Sequence, residues 1–339
     1  MTSDSTVFNV LSNYTALPRS VQAKRMGGAG GFSGSQIWQI TTAERKYCLR
    51  QWPEEHPDRS RLSFIHTVLR RAASEGLTFV PDPLQTSSGA SFIEHGSRLW
   101  ELTPWLPGIA DYWTHPTTGR LAAAMIALAR FHQATRACAT PAAPFDVAPA
   151  VKERQQRLAE LVAGGFESLA RAVSRQKVPG HVDISLSDDL RSCSALGARL
   201  LPGLIDASSR LFSLQPAIRD IWHDHVLFEG DRVSGIVDYG ALRLDTHLTD
   251  LARLIGSLVE DDSRLREMAM DAYSSILPLS PAECQLIDLL DRSSVVISLA
   301  NWAQWLYVEG RQFEDRPRVN ARILKLAQRL RTLRRVVGS

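Results

Sequence analysis

Hydrophobic and polar positions change their rhythm about a third of the way along the chain. After a polar leader, QIWQIT and KYCLRQW form two short apolar runs separated by TAER, which predicts a β-hairpin. From Arg59 the spacing becomes helical. Leu62, Ile65, Leu69 and Ala72 fall on one face, and Gly76 ends the run. SFIEHGSRLWEL predicts a second hairpin turning at His95-Gly96, and the two prolines of TPWLPG make a stiff connection after it. Beyond that point the pattern is helical over 119–136, 151–174 and 187–200, and again from 246 onwards. One β interruption stands in this helical half. It is VLFEGDRVSGIVD, residues 226–238, two apolar runs around a polar Gly-Asp turn. The expected organisation is α+β, with a small β-rich N-terminal lobe, residues 1–104, and a larger mainly helical lobe, residues 105–339, that carries one hairpin.

Composition narrows the class without naming a chemistry. A chain of 339 residues, 44% hydrophobic and 22% charged, can bury two ordinary cores. A net charge of +3 is too mild to call for nucleic acid or an anionic membrane. The basic stretch near the end repeats Ile323, Leu326, Leu330 and Leu333 at helical spacing, so it reads as an amphipathic helix with a solvated face. Cys48, Cys138, Cys193 and Cys284 stand singly, which argues against a disulfide framework and a structural zinc site. The first residues lack a basic n-region, and no run of about 18 apolar residues occurs, so the expectation is a cytoplasmic chain with no membrane partner.

The residues suited to chemistry gather around the 226–238 hairpin. In AIRDIWHDHVLFEGDRVSGIVDYGA, Asp220 precedes the hairpin and Asp238 follows it. A hairpin returns the chain to its starting end, so the two carboxylates are expected towards one edge. Phosphoryl transfer uses one carboxylate near the acceptor hydroxyl and another to hold a divalent metal against the phosphates. On residue type alone, a turn aspartate and a helix-cap aspartate would look the same.

A second feature is MGGAGGFSGSQIWQI, in which five of the eight residues from 27 to 34 are glycine. Backbone N–H groups of such a loop, at Gly30, Gly31, Ser33 and Gly34, can approach a phosphate closely because its glycines carry no Cβ. The spacing fits neither G-x-x-x-x-G-K-[ST] nor G-x-G-x-x-G, and a flexible linker would also be rich in glycine.

Taken together, these residues resemble a known family. Ile218-Arg219-Asp220 stands where kinases carry H-R-D, His225 falls on the Asn position of that loop, and Asp238-Tyr239-Gly240 stands for D-F-G eighteen residues after Asp220. LRLDTHLTDLARL and ALARFHQA, the latter reaching His132 at a helix end, are similar to segments of the aminoglycoside phosphotransferase and choline-kinase-like superfamily. The resemblance implies a two-lobed protein-kinase-like fold, ATP with Mg²⁺ as cofactor, and a hydroxyl-bearing acceptor. It implies that Asp220 orients or deprotonates the acceptor hydroxyl, that Asp238 binds metal, and that Asp250 opens a helix and supports the catalytic loop. Arg50, with Lys46 as the nearby alternative, would bind the α/β-phosphates together with the glycine loop.

Two departures accompany it. The helix RSRLSFIHTVLRRAASEG has no mid-helix Glu to pair with the basic strand residue; His66 is nearest that place, and the usual ion pair is either absent, replaced by one with Glu54 or Glu55, or made only after closure. His225 replaces a hard-oxygen ligand with imidazole, which prefers softer metals than Mg²⁺, so its open roles are to bind Mn²⁺ as the second metal, to hydrogen-bond a phosphate, or to support Asp220.

Three functions therefore compete: an ATP-dependent phosphotransferase, a nucleotide-binding pseudokinase or regulatory module, and an HD-type metal phosphohydrolase suggested by His223-Asp224. The last places its His and Asp on helices, whereas this pair enters a hairpin. Trp302, Trp305 and Tyr307 read as core rather than as a ligand box. The acceptor is open among aminoglycoside, amino alcohol, sugar, homoserine-like compound and protein Ser/Thr.

Overall fold

The computed structural model describes residues 4–18, 20–26, 34–138, 145–175, 186–313 and 315–337. In chain order the helices are α1 (Asp4–Leu11), α2 (Arg59–Ser74), α3 (Thr118–Thr135), α4 (Pro149–Glu160), α5 (Phe166–Arg175), α6 (Leu186–Ser208), α7 (Leu248–Leu258), α8 (Ser263–Ser274), α9 (Pro281–Ala303) and α10 (Arg316–Val337). The strands are β1 (Gln22–Met26), β2 (Gln36–Thr41), β3 (Lys46–Gln51), β4 (Ile93–His95), β5 (Arg98–Pro104), β6 (Asp146–Val147), β7 (Leu211–Phe212), β8 (Gln215–Ala217), β9 (Val226–Glu229), β10 (Arg232–Ile236) and β11 (Arg243–Asp245). The chain divides into two compact units, one of residues 1–138 with 224–242, the other of residues 139–223 with 243–339.

In the first unit, β1 to β5 form an antiparallel sheet in the order β1-β2-β3-β5-β4. Both predicted hairpins are present. The β4–β5 turn places Gly96 at φ 60° and Ser97 at φ 58°, two successive left-handed residues whose twist suits a two-residue hairpin. The polar leader is the main difference from expectation, because it contains α1. Val7, Val10 and Leu11, with Tyr14 just beyond, recur at helical spacing and are buried against Trp38, Ile40, Leu49, Trp100 and Leu102 of the sheet. Asp58 caps α2 by accepting from Arg61 N at 2.8 Å, and the helix buries the expected Leu62, Ile65, Leu69 and Ala72 together with His66.

The β9–β10 hairpin belongs to this same unit. Ile109 and Phe228 exchange backbone bonds of 3.1 and 3.0 Å, Ser234 Oγ donates to Pro107 O at 2.7 Å, and Ile236 N donates to Phe79 O at 2.7 Å. Gly108 makes that approach feasible. It has φ 93°, and a Cβ there would sit 2.2 Å from Ser234 Oγ and 2.7 Å from Phe228 O.

The second unit is built from α4 to α10, with two short ribbons, β6–β7 and β8–β11. Its helices differ from the sequence expectation in two places. The run 151–174 is interrupted by a π-helical turn, Leu161–Gly165, in which Gly164 has φ 130°. The helix expected over 187–200 continues through Pro202 to Ser208, because the buried Leu204 and Ala207 hold its last turns against the core despite the missing N–H. Arg329 lies between Asp261 and Asp291, donating to each at 2.8 Å through Nη2. Trp302 and Tyr307 are buried, and Trp305 packs edge-on to Trp302 at 5.1 Å, so these aromatics are core or core-flanking as read. Among the described residues no helix is long and apolar enough to cross a membrane.

Candidate active site

In the first unit the sheet and the hairpin assemble a charged cluster. Arg50 on β3 extends its guanidinium over the ring of Trp52, 4.6 Å from the centroid. Its Nη1 donates to Asp238 Oδ1 at 3.1 Å, and its Nε stands 3.7 Å from Glu101 Oε1. His225, which begins the return to β9, puts Nε2 3.6 Å from Asp238 Oδ2. Three of the residues singled out in the sequence, Arg50, His225 and Asp238, are therefore neighbours.

The backbone is shaped to make this happen. Asp238 adopts φ 66°, a left-handed conformation in which Asp is tolerated but uncommon, and it does so two residues after β10 ends. Val237 N donates to His225 O at 2.9 Å, carrying the hairpin pairing up to that residue. Tyr239 turns inward and packs on Phe131 with ring centroids 5.5 Å apart. Gly240 then passes close to Trp52, where a Cβ would meet the ring at 3.0 Å. Burial would raise the Asp238 carboxyl, but Arg50 and His225 outweigh it and hold the group below its ordinary range. Asp238 is thus a fixed anion.

Glu101 is the residue that sequence reasoning missed. It is the register partner of Arg50 across β3 and β5, and its second oxygen lies 2.6 Å from His66 Nε2. Glu54 and Glu55 are exposed, so the acid beside Arg50 comes from the adjacent strand instead. The available signal was a single carboxylate inside RLWELTP, otherwise an apolar strand. Of the glycine loop, Gly34 has φ 75°, while Gly30, Gly31 and Ser33 lie outside the described residues.

In the second unit, Asp250 stands in the first turn of α7, fully buried. It accepts from Ile218 N and from Arg219 N, each at 2.6 Å. Those two bonds hold the loop in which Arg219 takes φ 65° and which presents Asp220. Arg219 is tied by Glu153 and by Asp245, 3.3 Å from its Nε. Asp220 itself is half-exposed and pairs with Arg253. His223 places both its backbone N and its Nδ1 2.8 Å from Ser257 Oγ, a contact that fits the structural role expected of it.

A buried carboxylate that accepts from two successive backbone N–H groups supports the loop that presents the half-exposed Asp220. The family model described as Phosphotransferase enzyme family matches residues 27–286. The chain belongs to that phosphotransferase family. A homoserine kinase from Methylocella silvestris is 26% identical over 262 residues, which cover 75% of this chain and 73% of that one. A second, from Brucella anthropi, is 26% identical and covers 77% and 73% respectively. Among solved structures, an aminoglycoside phosphotransferase from Alicyclobacillus acidocaldarius superposes with a TM-score of 0.66 at 17% identity, covering 98% of this chain and 96% of that one.

The phosphotransferase accordingly has the expected protein-kinase-like α+β fold. Its Asp250 offers a test on stability. Asp250→Ala leaves one buried and one part-buried N–H group without this acceptor, which costs about 3 kcal/mol in total. Denaturant unfolding should show that loss, and a change below roughly 1 kcal/mol would mean that the loop is held by other contacts.

Proposed function

We propose that this phosphotransferase moves the γ-phosphoryl group of ATP to the hydroxyl of a small molecule of the homoserine or amino-alcohol type. The observation that carries the proposal is the Arg50–Asp238 pair, because it sets a phosphate-binding cation against a hard, ionised oxygen. The name shared by the two homoserine kinases supports a compact hydroxylated acceptor.

Each residue then has a defined task. Arg50, together with the glycine loop at Gly30, Gly31, Ser33 and Gly34, holds the phosphates. Asp220 orients the acceptor hydroxyl or accepts its proton. Asp238 and His225 are the residues that would hold a divalent metal. Among the described residues no three His, Cys, Asp or Glu side chains form a metal cluster. Mg²⁺ commonly takes one or two carboxylates and completes its shell with phosphate oxygens and water, so Asp238 fits a metal that arrives with nucleotide, while the imidazole of His225 biases the pair towards Mn²⁺. When bound, such a metal would supply charge neutralisation at the phosphates.

Purified protein incubated with ATP and a panel of homoserine, amino alcohols, sugars and aminoglycosides tests the reading. Acceptor-dependent ADP formation supports it. Nucleotide binding without turnover on any acceptor would favour the pseudokinase.

His225 gives a sharper prediction. Imidazole suits Mn²⁺ better than Mg²⁺, so wild-type activity with Mn²⁺ should at least equal that with Mg²⁺. His225→Asn should lower the Mn²⁺ to Mg²⁺ activity ratio by about tenfold. Identical ratios in the two proteins would exclude His225 as a ligand and leave it a phosphate contact or a support for Asp238.

A further inference from the structure

Kinase-like sites need their phosphate-binding cation held in one orientation, and the acid that does this is expected on the helix packed against the strand. Helix α2 carries no acid at all between Arg59 and Ser74. The residue it offers at mid-helix is His66, and His66 is almost completely buried, at 1% exposure.

The geometry around Arg50 supplies a replacement. Arg50 and Glu101 face each other directly across β3 and β5, so sheet register fixes the distance between their backbones. Glu101 divides its oxygens: Oε1 faces Arg50 Nε at 3.7 Å, and Oε2 meets His66 Nε2 at 2.6 Å. Phe92 stands edge-on to the His66 ring, with centroids 6.0 Å apart. Among the described residues the ion pairs of Arg50 engage Nε, on Glu101, and Nη1, on Asp238.

We propose, on the reading of the site given above, that Glu101 is the positioning residue for Arg50 and that His66 fixes Glu101 in that task. The two acids on Arg50 have different futures. Asp238 is the side chain that would turn its carboxylate to a metal, whereas Glu101 lies inside the sheet and keeps its hold on Nε. Glu101 is then the counter-charge that stays with Arg50 when nucleotide is bound. Burial disfavours the charge on Glu101, yet His66 and Arg50 together keep the carboxyl below its ordinary range, consistent with a permanent anion. In this arrangement the sheet sets where Arg50 points, and α2 acts on it only through the imidazole.

A double-mutant cycle on the full chain separates this from a purely structural role. Mg²⁺ with a non-hydrolysable ATP analogue is titrated calorimetrically into wild type, Glu101→Gln, Arg50→Gln and the double variant, with thermal unfolding measured on each. Loss of one charge-assisted contact predicts about tenfold weaker nucleotide binding for Glu101→Gln in the wild-type background. In the Arg50→Gln background the same change should alter affinity by less than about twofold, because the residue it acts through is gone. His66→Leu should weaken binding in the same direction, and His66→Gln, which keeps a donor near Nε2, should restore it to within about twofold of wild type.

Equal losses in both backgrounds, or no loss in either, would overturn the proposal. If Glu101→Gln does not fold, the cycle of His66→Leu with Arg50→Gln decides the same question by the same criterion. Failure of the wild type to bind the nucleotide at all is a separate outcome: it removes the kinase reading of the site, on which this inference rests.

Discussion

Asp238→Asn should lower phosphoryl transfer by about a thousandfold and abolish the metal dependence of nucleotide binding. A divalent metal at transferring phosphates contributes several kcal/mol to the transition state, and each ~1.4 kcal/mol is a factor of ten in rate. Asn keeps the volume and one oxygen of Asp238, so the left-handed backbone at this position is tolerated and folding should survive. What is lost is the charge. The neutral amide would no longer balance Arg50, which would then have Glu101 as its remaining acid in the cluster. Turnover measured alongside nucleotide affinity, with and without Mg²⁺, reads both effects. Unchanged affinity and turnover would remove Asp238 from the metal role.

Asp220→Asn should separate the two half-tasks in the opposite way. Its proposed work concerns the acceptor hydroxyl, so kcat should fall by about 10² to 10⁴, the usual range for a positioned acid or base. Nucleotide affinity should stay within about twofold. Asp220 is half-exposed and pairs with Arg253 on α7, while its loop is held by Asp250, so the substitution should cost little stability. A parallel loss of nucleotide affinity would instead move Asp220 to a metal-binding or folding role.

The sequence was most readable where local pattern and chemistry coincide. Both N-terminal hairpins, α2 and the 226–236 hairpin follow from alternation, glycine turns and an apolar face, all of which are local signals. Asp250 was legible through the resemblance of LRLDTHLTDLARL to a family segment, and its two bonds to the backbone of residues 218 and 219 agree with the supporting place that resemblance implies. The features that escaped mostly depend on contacts distant in sequence. Helix α1 is only eight residues long, so its spacing is a weak signal, and its burial against Trp38 and Trp100 becomes evident only once the sheet exists. Glu101 looks like an ordinary polar position in a strand until β3–β5 register sets it opposite Arg50. The break at Gly164 falls at a Gly-Gly pair, where a φ of 130° suits glycine, a local signal that the helical reading of 151–174 passed over, whereas the continuation of α6 past Pro202 turns on packing that outweighs propensity.

The most direct test of the account follows the fate of the transferred group. Wild-type protein and Asp238→Asn are incubated with ATP labelled in its γ-phosphate, Mg²⁺ or Mn²⁺, and homoserine or an amino alcohol, and the products are resolved by mass spectrometry. The account predicts label in a phosphate ester of the acceptor with wild type, and loss of that ester by about a thousandfold with Asp238→Asn. Label found only in inorganic phosphate with the wild type, or ester formed equally well by Asp238→Asn, would contradict it.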